Sequence, residues 1–126
     1  METRNPFNIV SPQGGSPLVE ENRDGDLKTR IEKIINSAPV VLFMKGVPEY
    51  PQCGFSANVV QLLNSLSVGY KTFDILSDYD IREGVKAYAN WPTYPQLWVK
   101  GELIGGNDIV VELHRSGELK SVLGLA

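Results

Sequence analysis

Cys53 is the one residue of this chain whose chemistry no other residue duplicates, because it is the only cysteine. Pro48 and Pro51 break the chain just before it, and Val59, Leu62, Leu63 and Leu66 recur after it at helical spacing. The thiol is therefore expected at the start of a helix, facing unsatisfied backbone N–H groups and the positive end of the helix dipole. Both favour the thiolate, the form that acts as nucleophile and metal ligand. Lys45, at the end of an apolar run before the loop, adds a second positive charge. A lone cysteine is more often a small core residue. The order strand, loop, Cys, helix is what argues for chemistry here. His114, the sole histidine, falls on a later predicted helix far in sequence from Cys53, and is read as a surface or helix-end residue. A Cys–His hydrolase would need that ring beside the thiol. One cysteine and one histidine are too few for a zinc site.

The elements that must position the thiol follow from periodicity. Residues 1–25 read as a flexible tail, with Pro6, Pro12, Gly14, Gly15 and Pro17 among polar residues. Asp26 is the expected start of a first helix carrying Leu27, Ile31, Ile34 and Ile35. Val40–Met44 is a short continuous apolar run, which suits a strand buried on both faces. Gly69 is expected to end the helix that follows Cys53. Alternation over Tyr70–Ile75 predicts a second strand, and Ser77 with Asp80 a capping box before a helix with Ile81, Val85 and Tyr88 on one face. Asn90-Trp91-Pro92 stops that helix, and Trp91 is read as packing. Gln96–Lys100 and Glu102–Ile104 flank Gly101 as a tight hairpin. Gly105-Gly106 is a turn, Asn107 or Asp108 the cap of a helix with Ile109, Val110 and Leu113, and residues 117–124 a last short helix. The first two strands enclose a helix, so they should be parallel with a right-handed crossover. The order fits an α/β, thioredoxin-like fold with a mixed four-stranded sheet flanked by helices, occupying residues 26–126; the pattern alone also permits other small α/β sandwiches.

Composition narrows the class. The chain has 126 residues, 42% of them hydrophobic and 21% charged, with a net charge of −3. That is one globular domain. No basic patch points to nucleic acid, and no apolar run approaches the ~20 residues of a membrane span. A single cysteine rules out an internal disulfide and favours a reducing compartment. The acids Glu2, Glu20, Glu21, Asp24 and Asp26 do not suit a mitochondrial presequence.

Cys53-Gly54-Phe55-Ser56 resembles the active site of the monothiol, CGFS-type glutaredoxins. Further segments match in order: Phe43-Met44-Lys45-Gly46, Phe73-Asp74-Ile75-Leu76, Arg82-Glu83-Gly84, Asn90-Trp91-Pro92-Thr93-Tyr94-Pro95-Gln96, and Gly101-Glu102-Leu103-Ile104-Gly105-Gly106. The resemblance covers residues 27–126 and is nearest the cytosolic, PICOT-like members. It implies a glutathione site in which Lys45, Arg82 and Lys86 meet carboxylate, and Phe55 and Thr93 line the ligand. Tyr94 would offer its backbone ahead of a cis Pro95, Gly106 would allow close approach, and Asn107 and Asp108 would take the γ-glutamyl end. Ser56 stands where a dithiol relative has a resolving cysteine, so dithiol exchange within one chain is blocked. A [2Fe-2S] cluster needs about four thiolates. The resemblance implies Cys53 as its metal ligand, in a homodimer bridged by the cluster and completed by two glutathiones. It further implies BolA-like proteins and apo-protein acceptors as partners. The implied role is cluster carriage and iron homeostasis in the cytoplasm, with the nucleus as a second compartment and mitochondria disfavoured. Some family members carry a second cysteine after the Gly-Gly pair; Asn107 stands there, so a disulfide at that site should be absent. Glutathione-dependent disulfide reductase activity, weak at most, is the rival reading, and an interaction domain with an incidental thiol is a third.

Overall fold

Strand β1 (Val40–Met44) is the axis of the molecule: its side chains alternate between two cores, and all five are buried. Val40, Leu42 and Met44 face one side of the sheet; Val41 and Phe43 face the other. Each such side chain contributes about 1.5–3 kcal/mol on burial, which is why this run is apolar without a break. The computed structural model describes residues 17–125, with side chains from Asp26 onward. Helix α1 (Pro17–Ile35) precedes β1. It begins at Pro17 rather than at Asp26, so part of the expected tail is helical, and residues 1–16 lie outside the described residues.

After β1 come two short strands that the sequence did not suggest, β2 (Gly46–Val47) and β3 (Tyr50–Pro51). They pair antiparallel as a hairpin of their own, Gly46 opposite Pro51 and Val47 opposite Tyr50. Helix α2 (Gly54–Ser65) follows, then β4 (Lys71–Asp74) and α3 (Tyr79–Ala89). Strands β5 (Gln96–Val99) and β6 (Glu102–Gly105) form the predicted hairpin, and α4 (Asn107–Ser116) and α5 (Leu119–Val122) close the chain. The turn uses Lys100 at φ 51° and Gly101 at φ 81°, the two left-handed residues of a type I′ hairpin.

The sheet order is β4-β1-β5-β6. β1 pairs parallel with β4 and antiparallel with β5. The mixed four-stranded, thioredoxin-like plan is therefore as the sequence predicts. Val59 and Leu63 of α2, Val110 of α4 and Leu119 of α5 cover one face; Ile31 and Ile35 of α1 with Ile81 and Val85 of α3 cover the other.

Several local boundaries differ from the sequence expectation. Helix α2 ends at Ser65 with Leu66 as its C-cap, and Ser67 takes the left-handed conformation expected of Gly69. The capping box shifts by one residue: Asp78 is the N-cap of α3, its Oδ1 accepting from the Ile81 N–H at 3.0 Å, while the Ser77 hydroxyl donates to the Asp74 carbonyl. Asp78 also accepts from Arg30 of α1, so its carboxylate ties α1 to the start of α3. Asn90, at φ 52°, ends α3 as a left-handed cap. Neither Asn107 nor Asp108 caps α4; Gly106 holds that position, and the Asn107 side chain instead accepts from Asn58 of α2 at 2.7 Å.

Candidate functional site

Both parallel strands, β1 and β4, end beside the loop that leads to Cys53. Asp74 organises this edge: its Oδ1 accepts from the Gly46 N–H and the Leu76 N–H, each at 2.9 Å. The β2–β3 hairpin then doubles the chain back, and the Gln52 N–H donates to the Lys45 carbonyl at 2.8 Å. Gly46 makes that reversal possible. It sits at φ +92°, and a Cβ there would lie 2.7 Å from the Tyr50 carbonyl oxygen and 2.8 Å from the Gln52 nitrogen. This loop chemistry places Cys53 at the end of β1.

Cys53 is the N-cap of α2, in extended conformation at φ −155° and ψ 135°. The first intrahelical bond runs from Ala57 N–H to the Cys53 carbonyl, which leaves the N–H groups of Gly54, Phe55 and Ser56 without helical acceptors. A side-chain oxygen at an N-cap ordinarily accepts from these donors. The neutral thiol makes no cap hydrogen bond, but a thiolate draws on the same donors. Partial burial pushes the Cys53 thiol up. The N–H groups of Ser56 and Phe55, the Lys45 ammonium and the Ser56 hydroxyl outweigh it and hold the thiol below its ordinary range. Ser56 itself is fully buried, and its Oγ accepts from the Lys45 N–H at 3.1 Å. So the residue that blocks dithiol chemistry also locks α2 to the end of β1.

Cys53 opens into a cleft of about 650 Å³. Every site residue named from the sequence lies along it. Lys45 and Phe55 flank the thiol; Arg82 and Lys86 come from α3; Thr93, Tyr94 and Pro95 from the segment before β5; Gly106, Asn107 and Asp108 from the start of α4. The Tyr94–Pro95 peptide is cis. The Tyr94 side chain is turned inward, its hydroxyl donating to the Arg82 carbonyl at 2.7 Å, and burial pushes the phenol well above its ordinary range. Helix α4 presents the free N–H groups of its first turn, since its first internal bond is Val110 N–H to the Gly106 carbonyl. Gly106 leaves space for a close approach: a Cβ there would stand 3.3 Å from the Pro95 carbonyl oxygen. Lys86 is not a free cation, as it pairs with Glu83 at 3.1 Å.

Part of the cleft wall was not expected from the sequence. Trp91, Pro92 and Ile109 also line the cleft. The Trp91 indole N–H is buried without a hydrogen-bond partner. Reading Trp91 as packing alone is therefore incomplete; its place two residues before Thr93 was the available signal. Three cations, one low-range thiol, a free backbone segment and a helix N-terminus suit an extended peptide-like ligand with carboxylates and a sulfur. Among the described residues no group of three His, Cys, Asp or Glu side chains converges to hold a metal ion, and no helix is long and apolar enough to cross a membrane.

The glutaredoxin family model matches residues 40–104. The chain is 58% identical over 94 residues to monothiol glutaredoxin-S17 of Arabidopsis thaliana, covering 75% of this chain and 19% of that protein. The chain thus spans about a fifth of that relative's length. It is 50% identical over 101 residues to an uncharacterized monothiol glutaredoxin, ycf64-like, of Synechocystis, covering 80% of this chain and 94% of that protein. Among solved structures it resembles the buckwheat glutaredoxin–glutathione complex, with TM-score 0.72 and 28% identity over 82% of this chain and 93% of that one.

Proposed function

The chain belongs to the monothiol glutaredoxin family, and from that premise we propose that it binds glutathione in the Cys53 cleft and carries a [2Fe-2S] cluster held between two protomers. The observation that supports this most is the conjunction of one thiol, set low by α2, with a cleft that supplies cations and backbone donors but no second sulfur. A buckwheat relative of the same fold was solved as its glutathione complex.

In this reading Lys45, Arg82 and Lys86 take the glycine carboxylate, Lys86 exchanging Glu83 for it. The free backbone of Tyr94 pairs with the cysteinyl unit, and Thr93 and Phe55 flank it. The first-turn N–H groups of Asn107 and Asp108 take the γ-glutamyl carboxylate. Bound in this way, glutathione presents its sulfur beside Cys53. One chain then offers two thiolates, Cys53 and the glutathione sulfur, and two chains offer the four that a [2Fe-2S] cargo needs. Half of those ligands are not covalently part of the protein, which favours handing the cargo to an apo-protein acceptor. A BolA-like protein in place of one protomer, iron homeostasis, and a cytoplasmic site of action with a nuclear share are further parts of this proposal, as is a domain spanning residues 26–126.

A second reading rests on the low-range thiol alone. The Cys53 thiolate attacks the glutathione sulfur of a protein–glutathione disulfide and releases the protein thiolate. A second glutathione thiolate then attacks the Cys53–glutathione disulfide, yielding oxidised glutathione and free Cys53. With Ser56 unable to resolve the disulfide, this cycle depends on the external thiol. Anaerobic reconstitution with iron, sulfide and glutathione, read by visible absorption, tests the choice. Cluster absorption that requires both glutathione and Cys53 supports carriage. A colourless protein that turns over glutathione mixed disulfides rapidly contradicts it.

A further inference from the structure

The segment Trp91–Pro95 meets two opposed demands. It must leave the Tyr94 backbone unpaired so that a peptide-like ligand can pair with it, yet it must hold that edge at a fixed place beside Cys53. The ordinary way to fix an extended segment is a ladder of backbone bonds, and that would consume the edge. Among the described residues, Pro92, Thr93, Tyr94 and Pro95 make no backbone–backbone hydrogen bond; the one at the segment's start is Trp91 N–H to the Lys86 carbonyl at 3.0 Å. Something else secures it.

Gln96, the first residue of β5, lies beneath the segment and is fully buried. Its Nε2 donates to the Trp91 carbonyl at 3.2 Å and to the Thr93 carbonyl at 3.3 Å. Its Oε1 accepts from the Trp98 indole N–H at 3.1 Å. Both amide hydrogens and the carbonyl oxygen are thus in use, and the Trp98 bond fixes which way round the amide stands. Trp98 is buried in the core against α1 and α3, so the amide is anchored to the body of the molecule. The second tether, Tyr94 hydroxyl to the Arg82 carbonyl, also comes from a side chain.

We propose that Gln96 is a positioning residue for the ligand: it grips the Trp91–Thr93 segment from the core side through two carbonyls, and so holds the Tyr94 backbone edge in place while leaving it free to bind. This rests on the reading that glutathione occupies the Cys53 cleft. Gln96 touches neither ligand nor thiol; it acts through the segment. Nothing in it sets the thiolate, which depends on Lys45, Phe55 and Ser56.

The test uses Gln96→Glu and Gln96→Met, with Val99→Ala as a core truncation in the same strand. Glutathione affinity is measured by calorimetry, Cys53 reactivity by the pH dependence of alkylation, and stability by denaturant unfolding. Loss of two neutral hydrogen bonds should weaken glutathione binding by about tenfold or more in both Gln96 variants. Their Cys53 alkylation profiles should stay at wild-type pH. Val99→Ala should lose stability without losing affinity. Gln96→Glu should recover part of its affinity as the pH falls and its buried carboxyl takes up a proton, becoming a donor again; Gln96→Met should not. Wild-type affinity in both Gln96 variants, or a loss that Val99→Ala shares at equal stability, would overturn the proposal. Wild-type protein alone gives an independent check. Saturating glutathione should shift the Gln96 side-chain amide resonances and slow their exchange, and resonances that do not move would overturn it too. If wild type binds no glutathione, the glutathione reading itself falls and this inference with it. That outcome differs from one confined to the variants.

Discussion

Replacing Ser56 with alanine separates what this residue prevents from what it supports. Its hydroxyl is fully buried, accepts from the Lys45 N–H at 3.1 Å and helps to hold the Cys53 thiol low. In Ser56→Ala the part-buried Lys45 N–H loses its acceptor at the end of β1, at a cost of up to about 1–3 kcal/mol, the range for an unsatisfied buried donor. Alanine is the better helix former in the first turn of α2 and returns about 0.5 kcal/mol. The net expectation is a loss of about 0.5–2.5 kcal/mol, a sizeable part of the 5–15 kcal/mol that stabilises a typical domain. The Cys53 thiol should move up, yet stay below its ordinary range, because the Phe55 N–H, the backbone N–H at position 56 and the Lys45 ammonium remain. The sign of the coupling to stability follows. A folded-state thiol below its unfolded value stabilises the protein above the unfolded value and loses that contribution as pH falls through the folded one. Stability should therefore rise with pH across that window in wild type, and rise less in Ser56→Ala. Denaturant unfolding at several pH values and alkylation rate against pH are the assays. An unchanged unfolding midpoint together with an unchanged alkylation profile would show that Ser56 supports neither the end of β1 nor the Cys53 thiolate.

Three further changes probe other joints. Gly46→Ala must relieve contacts with the Tyr50 and Gln52 backbone from a residue at φ +92°, and should cost about 2–4 kcal/mol in unfolding free energy while raising the pH at which Cys53 reacts. Asp78→Ala removes the α3 cap and the Arg30 partner, and should cost about 1–2 kcal/mol near neutral pH. The Asp78 carboxyl is raised by burial but held low overall by the Ile81 N–H and Arg30. Its stabilisation is present above the unfolded value and is lost as pH falls through the folded one, so the variant should lose less stability on acidification than wild type. Glu83→Gln frees Lys86 from its 3.1 Å partner and should tighten glutathione binding by up to about fivefold, measured by calorimetry at low salt.

The parts of this protein that were legible in its sequence are those set by local periodicity or by a residue with one plausible use. β1 reads as a doubly buried strand because no polar residue could alternate in it. The β5–β6 hairpin reads from Gly101, since a two-residue turn there needs left-handed backbone. Cys53 reads as a helix N-cap because proline-rich loop gives way directly to helical spacing. What was not legible depends on competition between neighbours. Ser77 and Asp78 are both good caps, and Asp78 holds the place because it also meets Arg30 from α1, forty-eight positions away in sequence. Asn107 is a good cap too, but Asn58 of α2 engages its side chain. The β2–β3 hairpin carries no alternation because each of its strands is two residues long and one contains proline. Gln96 and Trp91 read as a strand start and as packing; the place of Trp91 in the cleft wall, and the hold of Gln96 on its carbonyl from beneath, appear only once the segment between them is folded over the core.

Cluster carriage as proposed requires Cys53 and glutathione together to hold the cluster between two chains. Native mass spectrometry of protein reconstituted anaerobically with iron, sulfide and glutathione tests it most directly. The expected result is one species whose mass equals two chains, one [2Fe-2S] unit and two glutathiones, absent when glutathione is withheld and absent in Cys53→Ser. A cluster carried by a single chain, formed without glutathione, or retained in Cys53→Ser would contradict it.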